Sequence, residues 1–306
     1  MSPNNYHFTI RRLASLLSII SIYSAHFVQG IPASTINPTA VPDRKTHTAD
    51  LLNLEALQDL PDFLAQFPSG PLNQFLRIIS TLPAGAAALD AVRLILTPLQ
   101  QGLADSAGID TTENDLARNA ACASITVVFA RGTTEPGNVG LVTGPPFFDA
   151  LREQMGGSKS LAVQGVEYPA TFAGFNRNGT DGVPSLTNFI NQAVTRCPAS
   201  KLVVSGDSQG ALVVRSTTQS LPAATMAKIN SIVLFGDPGN PSPVPGAEGK
   251  TKVFCHEDDA VCKGGFITVD HLTYAEDASA AAQFVLQSAN GESTSEVTNF
   301  LDLTDS

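Results

Sequence analysis

The chain of 306 residues contains no Trp, three Met, four Tyr and four Cys. Basic residues are also scarce: 18 Lys and Arg stand against 28 Asp and Glu, a formal net charge of −10. Phosphate binding needs an excess of positive charge, so this balance argues against nucleic acid as a partner. Beyond the first 30 residues no run is long and apolar enough to span a bilayer, so no stable membrane span is expected. Cys122 and Cys197 have no Cys or His at ligand spacing, which argues against a zinc site. No metal or cofactor is expected. Histidine is scarce too, and its five positions carry much of the argument below.

At the N-terminus, Arg11 and Arg12 precede an apolar stretch from Leu13 to about Val28, interrupted by Ser15, Ser18, Ser21, Ser24 and His26. The stretch is short for an anchor. It reads as a secretory signal over residues 1–30, with cleavage after Gly30, and the mature protein is expected outside the cell. Four cysteines suit an oxidising compartment. Cys255 and Cys262 are close enough in sequence to close a small loop, which leaves Cys122 and Cys197; three pairings are possible, and sequence does not choose among them. One N-glycosylation triplet occurs, Asn178-Gly179-Thr180.

Residues 31–50 are rich in Pro, Thr and Ser and read as a flexible leader. Residues 51–120 carry helical periodicity. Leu51, Leu54, Leu57 and Leu64 begin one stripe, Leu72 to Leu82 a second, and Ala86 to Leu103 a third. This extension, 31–120 in all, offers no chemistry of its own; a pro-segment, a lid and a packed helical unit all fit it. From Cys122 the pattern changes. Strands are expected at Ile125–Ala130, Val163–Tyr168, Leu202–Ser205, Ser231–Phe235 and Lys252–Phe254. Helices are expected at Phe147–Met155, Pro184–Arg196, Gln209–Ser220 and Ala275–Leu286. Such alternation over 121–290 implies an α/β fold, a mainly parallel sheet covered on both faces. Residues 291–306 hold Glu292, Glu296, Asp302 and Asp305 with no Lys or Arg, and read as an acidic tail.

The most informative stretch is Leu202-Val-Val-Ser-Gly-Asp-Ser-Gln-Gly-Ala211. It places G-x-S-x-G between a strand and a helix, the setting of a nucleophile elbow. Glycine at 206 and 210 removes side chains that would collide in so tight a turn. Ser208 would then stand at the strand tip. A serine hydroxyl needs a base within hydrogen-bonding reach. His7 and His26 fall in the signal segment and His47 in the leader, so the base is His256 or His271. In elbow hydrolases the acid lies between serine and histidine along the chain. His271 allows Asp237, Asp258 or Asp259, whereas His256 would require Asp237. His271 with Asp259 is favoured. Asp259 lies between Cys255 and Cys262, where a bridge would hold the carboxylate rigidly, and His256 abuts Cys255. Asp237, in Leu-Phe-Gly-Asp-Pro, reads equally as a turn residue. The oxyanion donors expected are the Gln209 N–H and Thr133, in the loop after the first strand.

Phe129-Ala-Arg-Gly-Thr-Thr-Glu135, Gly-Asp-Ser-Gln-Gly-Ala and Cys255-His-Glu-Asp-Asp-Ala-Val-Cys262, followed by His271-Leu-Thr-Tyr274, resemble the fungal cutinase family in content and order. The resemblance spans about Cys122 to Asn290. It implies a three-layer α/β/α hydrolase without a large lid, and the disulfides Cys122–Cys197 and Cys255–Cys262. It also implies Ser208 as nucleophile, Asp259 as acid, His271 as base, and Thr133 and Gln209 as oxyanion donors. Phe172 and Phe175 on one side, and Phe266, Ile267 and Val269 on the other, occupy the stretches that flank the family's site. Two departures stand out: Asp207 replaces the family's usual Tyr before the serine, and the extension is longer than the usual leader.

The resulting expectation is a secreted, monomeric serine esterase acting on cutin and short-to-medium acyl esters. The alternatives are an acetylxylan esterase, and a secreted non-catalytic protein built on a hydrolase frame.

Overall fold

The computed structural model describes residues 64, 66–80, 82, 86–156 and 160–291, with 86–91 described as backbone alone. The expected signal segment, the leader at 31–50, the stripe from Leu51 to Phe63 and the tail from 292 onward lie outside the described residues. The described residues fall within one unit, Leu51–Ser306.

Two helices come first, α1 (Ser69–Ser80) and α2 (Ala86–Ala107). There follow β1 (Ile125–Ala130), α3 (Gly144–Met155), β2 (Leu161–Gly165), the short α4 (Phe172–Phe175), α5 (Val183–Arg196), β3 (Lys201–Asp207), α6 (Gln209–Thr218), α7 (Ala223–Met226), β4 (Ile229–Phe235), β5 (Thr251–Phe254) and α8 (Ala278–Asn290). The five strands form one sheet in the order β2-β1-β3-β4-β5, and every pairing is parallel.

Strand alternation splits the core into two layers. Val128, Ala130, Val204, Ile232 and Leu234 face α5 and α6 through Leu186, Ile190, Ala211 and Val214. Val127, Phe129, Val203, Val233 and Phe235 face α3 and α8 through Phe147, Phe148, Ala281 and Val285. The second layer is rich in aromatic edges. Phe129 and Phe148 meet at 5.3 Å and 89°, Phe147 and Phe235 at 5.5 Å and 64°, geometries that the ring quadrupole favours.

The second expected strand is displaced. It runs from Leu161 to Gly165, and the apolar run Val166–Tyr168 leaves the sheet instead of extending it. Val166 N still bonds Phe129 O at 2.8 Å, but the Tyr168 hydroxyl then donates to the Arg131 carbonyl, drawing the chain across the top of β1.

Residues after α2 are woven into the sheet edge. Asp115 accepts from Val163 N at 2.8 Å, and Leu116 enters the α5 and α6 layer. Helices α1 and α2 pack on each other and on the body: Leu72, Phe75, Leu76 and Ile79 join Leu96 and Leu103, and the same cluster takes in Leu141, Val142 and Leu272.

Cys122 bonds Cys197 and Cys255 bonds Cys262. The first bridge, between partners 75 residues apart, fastens the start of β1 to the end of α5. The second closes a loop of partners seven apart. In the chain-entropy account, replacing Cys122 and Cys197 by Ser should lower the unfolding free energy by about 4 kcal/mol, and replacing Cys255 and Cys262 by roughly half of that. Chemical denaturation of the two double variants checks the order; equal losses would point to native-state strain instead.

Candidate active site

Parallel strands end at the same edge of a sheet, so the loops after β1, β3 and β5 share one rim. Ser208 stands where β3 passes into α6, with φ 54° and ψ −115°. Such a backbone is costly for a residue with a side chain, roughly 1–3 kcal/mol, and the surrounding contacts hold it. A Cβ on Gly206 would come within 2.3 Å of the Gly210 carbonyl oxygen, and one on Gly210 within 1.8 Å of the Ala130 carbonyl oxygen. Both glycines are therefore required by close backbone approach. The second contact also presses the start of α6 against the end of β1.

His271 Nδ1 lies 2.7 Å from Asp259 Oδ2, and both side chains are buried. Asp259 accepts further bonds from the Tyr274 hydroxyl at 2.6 Å and Val261 N at 2.8 Å. Burial pushes the Asp259 carboxyl up. The hydrogen bonds and charge of His271, with the Tyr274 and Val261 bonds, outweigh it and hold the group below its ordinary range. His271 Nε2 is buried and has no hydrogen-bond partner, and Ser208 lines the same cavity. An imidazole whose far nitrogen is held and whose near nitrogen is unsatisfied is oriented to take a proton. In unliganded sites, the bond between nucleophile and base often tightens only with substrate.

His256, the alternative base, is occupied. Its Nε2 meets Asp277 Oδ2 at 2.7 Å, its Nδ1 meets Thr273 Oγ1 at 3.0 Å, and its ring stacks on Tyr274 at 4.3 Å. Asp237, the alternative acid, is occupied as well. Arg215 reaches it with Nε at 2.8 and 2.9 Å and with a terminal nitrogen at 2.6 Å, and Asp237 is fully buried.

The loop after β1 supplies the rest. Thr133 Oγ1 donates to Gln209 Oε1 at 3.0 Å, which brings the two expected oxyanion donors together. The Gln209 N–H belongs to the first turn of α6, where a helix has no acceptor of its own. Glu135 braces the loop. Its carboxylate accepts from Gly132 N and Leu141 N at 2.8 Å and from Val142 N at 3.0 Å. Sequence reasoning gave no role to Glu135 or to Tyr274, although both stand inside the motifs quoted above; the signal was present and only its geometry was missing.

The site is covered by the helical extension. Phe75 and Ile79 of α1 and Gln100 of α2 line the same cavity as Ser208, Thr133, Phe172, Ile267 and His271. Thr97 Oγ1 donates to Thr134 O at 2.6 Å, and Gln100 Nε2 to the same oxygen at 3.2 Å. Ser208 and His271 are each 3% exposed. The cavity left between them measures about 30 Å³. A water needs roughly 10–15 Å³ on that measure, so the space suits a couple of waters and no acyl chain. The five flanking residues separate. Phe172 and Ile267 line the cavity, and Val269 packs with the cover. Phe175 is half-buried outside the cavity lining, and Phe266 is 75% exposed.

Comparison with known proteins follows the same outline. The family model for cutinase matches residues 121–289. The chain is 43% identical over 218 residues to a cutinase of Hypocrea jecorina, covering 70% of this chain and 85% of that protein. It is 47% identical over 192 residues to cutinase pbc1 of Pyrenopeziza brassicae, covering 62% and 92%. Among solved structures, Trichoderma reesei cutinase in complex with a C11Y4 phosphonate inhibitor aligns with a TM-score of 0.63 at 42% identity, over 72% of this chain and 99% of that one.

Removing one partner of a buried ion pair leaves a charge stranded. Asp237→Ala should therefore cost about 3–5 kcal/mol of stability through Arg215. Turnover per folded molecule should persist. Denaturation curves paired with active-site titration test this; loss of turnover in fully folded variant would make Asp237 the acid.

Proposed function

The chain belongs to the cutinase family and hydrolyses carboxylic esters, and on that premise we propose that Ser208, His271 and Asp259 are its catalytic triad. The observation that carries this assignment is the bond from His271 Nδ1 to Asp259 Oδ2, made beside a serine on a strained elbow. Ser208 Oγ attacks the ester carbonyl carbon while His271 Nε2 takes its proton. Asp259 keeps the imidazole in the tautomer that exposes Nε2 and stabilises the imidazolium that forms. The N–H groups of Gln209 and Thr133 receive the charge on the carbonyl oxygen. His271 then protonates the leaving alcohol. Water, deprotonated by the same imidazole, cleaves the acyl-enzyme, and Ser208 recovers its proton.

A cavity of about 30 Å³ admits no ester, so turnover requires α1 and α2 to move away from the loop after β1. This cover is a lid in the proposed mechanism. Its departure would expose Phe172, Ile267 and Val269 together with the already exposed Phe266, an apolar rim suited to acyl chains and to a cutin surface. The domains follow as a signal at 1–30, an extension at 31–120 that supplies the lid, the hydrolase body at 121–290 and an acidic tail at 291–306. Export is supported by the two disulfides and by the N-terminal pattern.

Ser208→Ala should abolish hydrolysis of p-nitrophenyl butyrate and labelling by a fluorophosphonate, and Asp259→Asn should lower kcat by about 10⁴-fold with the fold intact. Wild-type turnover in the Ser208→Ala variant would refute the triad. Ile79→Asp places a charge in the buried contact of the lid and should raise turnover of soluble esters by on the order of tenfold, since the apparent rate scales with the open fraction. Unchanged turnover in the folded variant would mean that the lid does not limit access.

A further inference from the structure

Among the described residues three buried carboxyl groups stand at the rim of β1, β3 and β5, and the mechanism above uses only one. Asp259 is held by His271, Tyr274 and Val261 N; Glu135 is held by three backbone N–H groups. Asp207, next to the nucleophile, has nothing comparable. It is 3% exposed, it lines the cavity with Ser208 and His271, and its Oδ1 has no hydrogen-bond partner. Its Oδ2 lies 2.6 Å from where a Cβ on Gly132 would stand, so the carboxyl is packed under the segment that leads into Thr133.

The charges around it deepen the problem. Glu135 faces Asp207 from the loop after β1 and Asp259 from the loop after β5. The Tyr168 and Tyr274 phenols also feel its charge, both pushed above their ordinary range first by burial. Buried Arg131 donates from Nε and from one terminal nitrogen to the Glu135 and Tyr168 carbonyl oxygens, and its other terminal nitrogen has no hydrogen-bond partner among the described residues. Among the described residues Asp207 makes no ion pair, and the charged groups that act on its carboxyl are the anions Glu135 and Asp259. Burial pushes the Asp207 carboxyl up, the Glu135 charge adds to it, the Thr143 hydroxyl pulls the other way and the Asp259 charge raises it again; the result lies well above the usual carboxylate range.

We propose that Asp207 is a positioning residue that works as a neutral carboxylic acid beneath the oxyanion loop, and that loss of its proton shuts turnover down. The inference rests on Ser208 as the nucleophile. As the ester carbonyl becomes tetrahedral, negative charge gathers on its oxygen between Gln209 and Thr133. A neutral Asp207 leaves that charge to the N–H donors. An ionised Asp207, having released its proton to water, sets a like charge beside it in a site with little water to screen it, and the step slows by at least tenfold. The enzyme then carries its own alkaline limit.

Stability has the same sign. In the unfolded chain Asp207 gives up its proton near pH 4, while in the folded chain it keeps the proton to higher pH. The folded state therefore binds more protons across that interval and loses stability as pH rises from about 4 towards the folded value.

The test compares kcat/KM for p-nitrophenyl butyrate in the wild type and Asp207→Asn between pH 5 and pH 10, with circular dichroism and thermal melts at each pH. The ratio of variant to wild type should rise at least tenfold across the range, and the melting temperature of the wild type should fall relative to the variant. Glu135→Gln removes a like charge and should move the alkaline limb to lower pH. A ratio constant within threefold, with both proteins folded, overturns the proposal. Where Asp207→Asn does not fold, Asp207→Ser is read in the same way. The Ser208→Ala control separates the two readings. If it is inactive and the profiles superimpose, the role of Asp207 alone is lost; if it keeps wild-type turnover, both fall.

Discussion

Ser208 stands on its strained turn because two strands and a helix meet more closely than any side chain would permit. Ala130 and Gly206 are register partners at the ends of β1 and β3. The turn out of β3 brings Gly210 against the Ala130 carbonyl. That contact fixes where α6 begins, and with it the Gln209 N–H. It also fixes how the loop after β1 departs, and with it Gly132 and Thr133. The proposed nucleophile and oxyanion donors are thus one backbone packing solution. The proposed acid and base, Asp259 and His271, arrive separately after β5, beside the Cys255–Cys262 bridge and Tyr274.

Around that packing the protein has removed water, and each buried acid has had to be accommodated differently. Asp237 is matched by Arg215, Asp259 by an imidazole and two donors, and Glu135 by three backbone N–H groups. These are three ways of stabilising a carboxylate where solvent cannot. Asp207 has none of them, which is why its protonation carries the consequence argued above. In the proposed mechanism the same residue type takes on structural, catalytic and charge-setting roles through its surroundings alone.

The helical cover, the proposed lid, belongs to this electrostatic arrangement as well as to access. Through Thr97 and Gln100 it bonds the Thr134 carbonyl, one residue from the expected oxyanion donor and at a non-glycine position with φ 66°. The cover therefore both excludes water from the site and grips the loop proposed to stabilise the transition state. Opening it must release both.

Much of this was legible along the chain. Short continuous apolar runs located β1, β3, β4 and β5, since a parallel strand covered on both faces is apolar at successive positions. The spacing of Gly206, Ser208 and Gly210 identified the elbow, because its steric demand is local. Histidine scarcity narrowed the base to two residues. Tertiary structure alone decided among the rest. It assigned Asp237 to Arg215 and His256 to Asp277, contacts between residues 22 and 21 positions apart that no pattern records. It ended β2 at Gly165 because Tyr168 is needed at Arg131. It also turned the helical stripes at 69–107 into a cover over Ser208. Periodicity states that a helix has an apolar face; what that face meets depends on a surface assembled from Leu141, Val142 and Leu272, distant in sequence and joined only when the chain has folded.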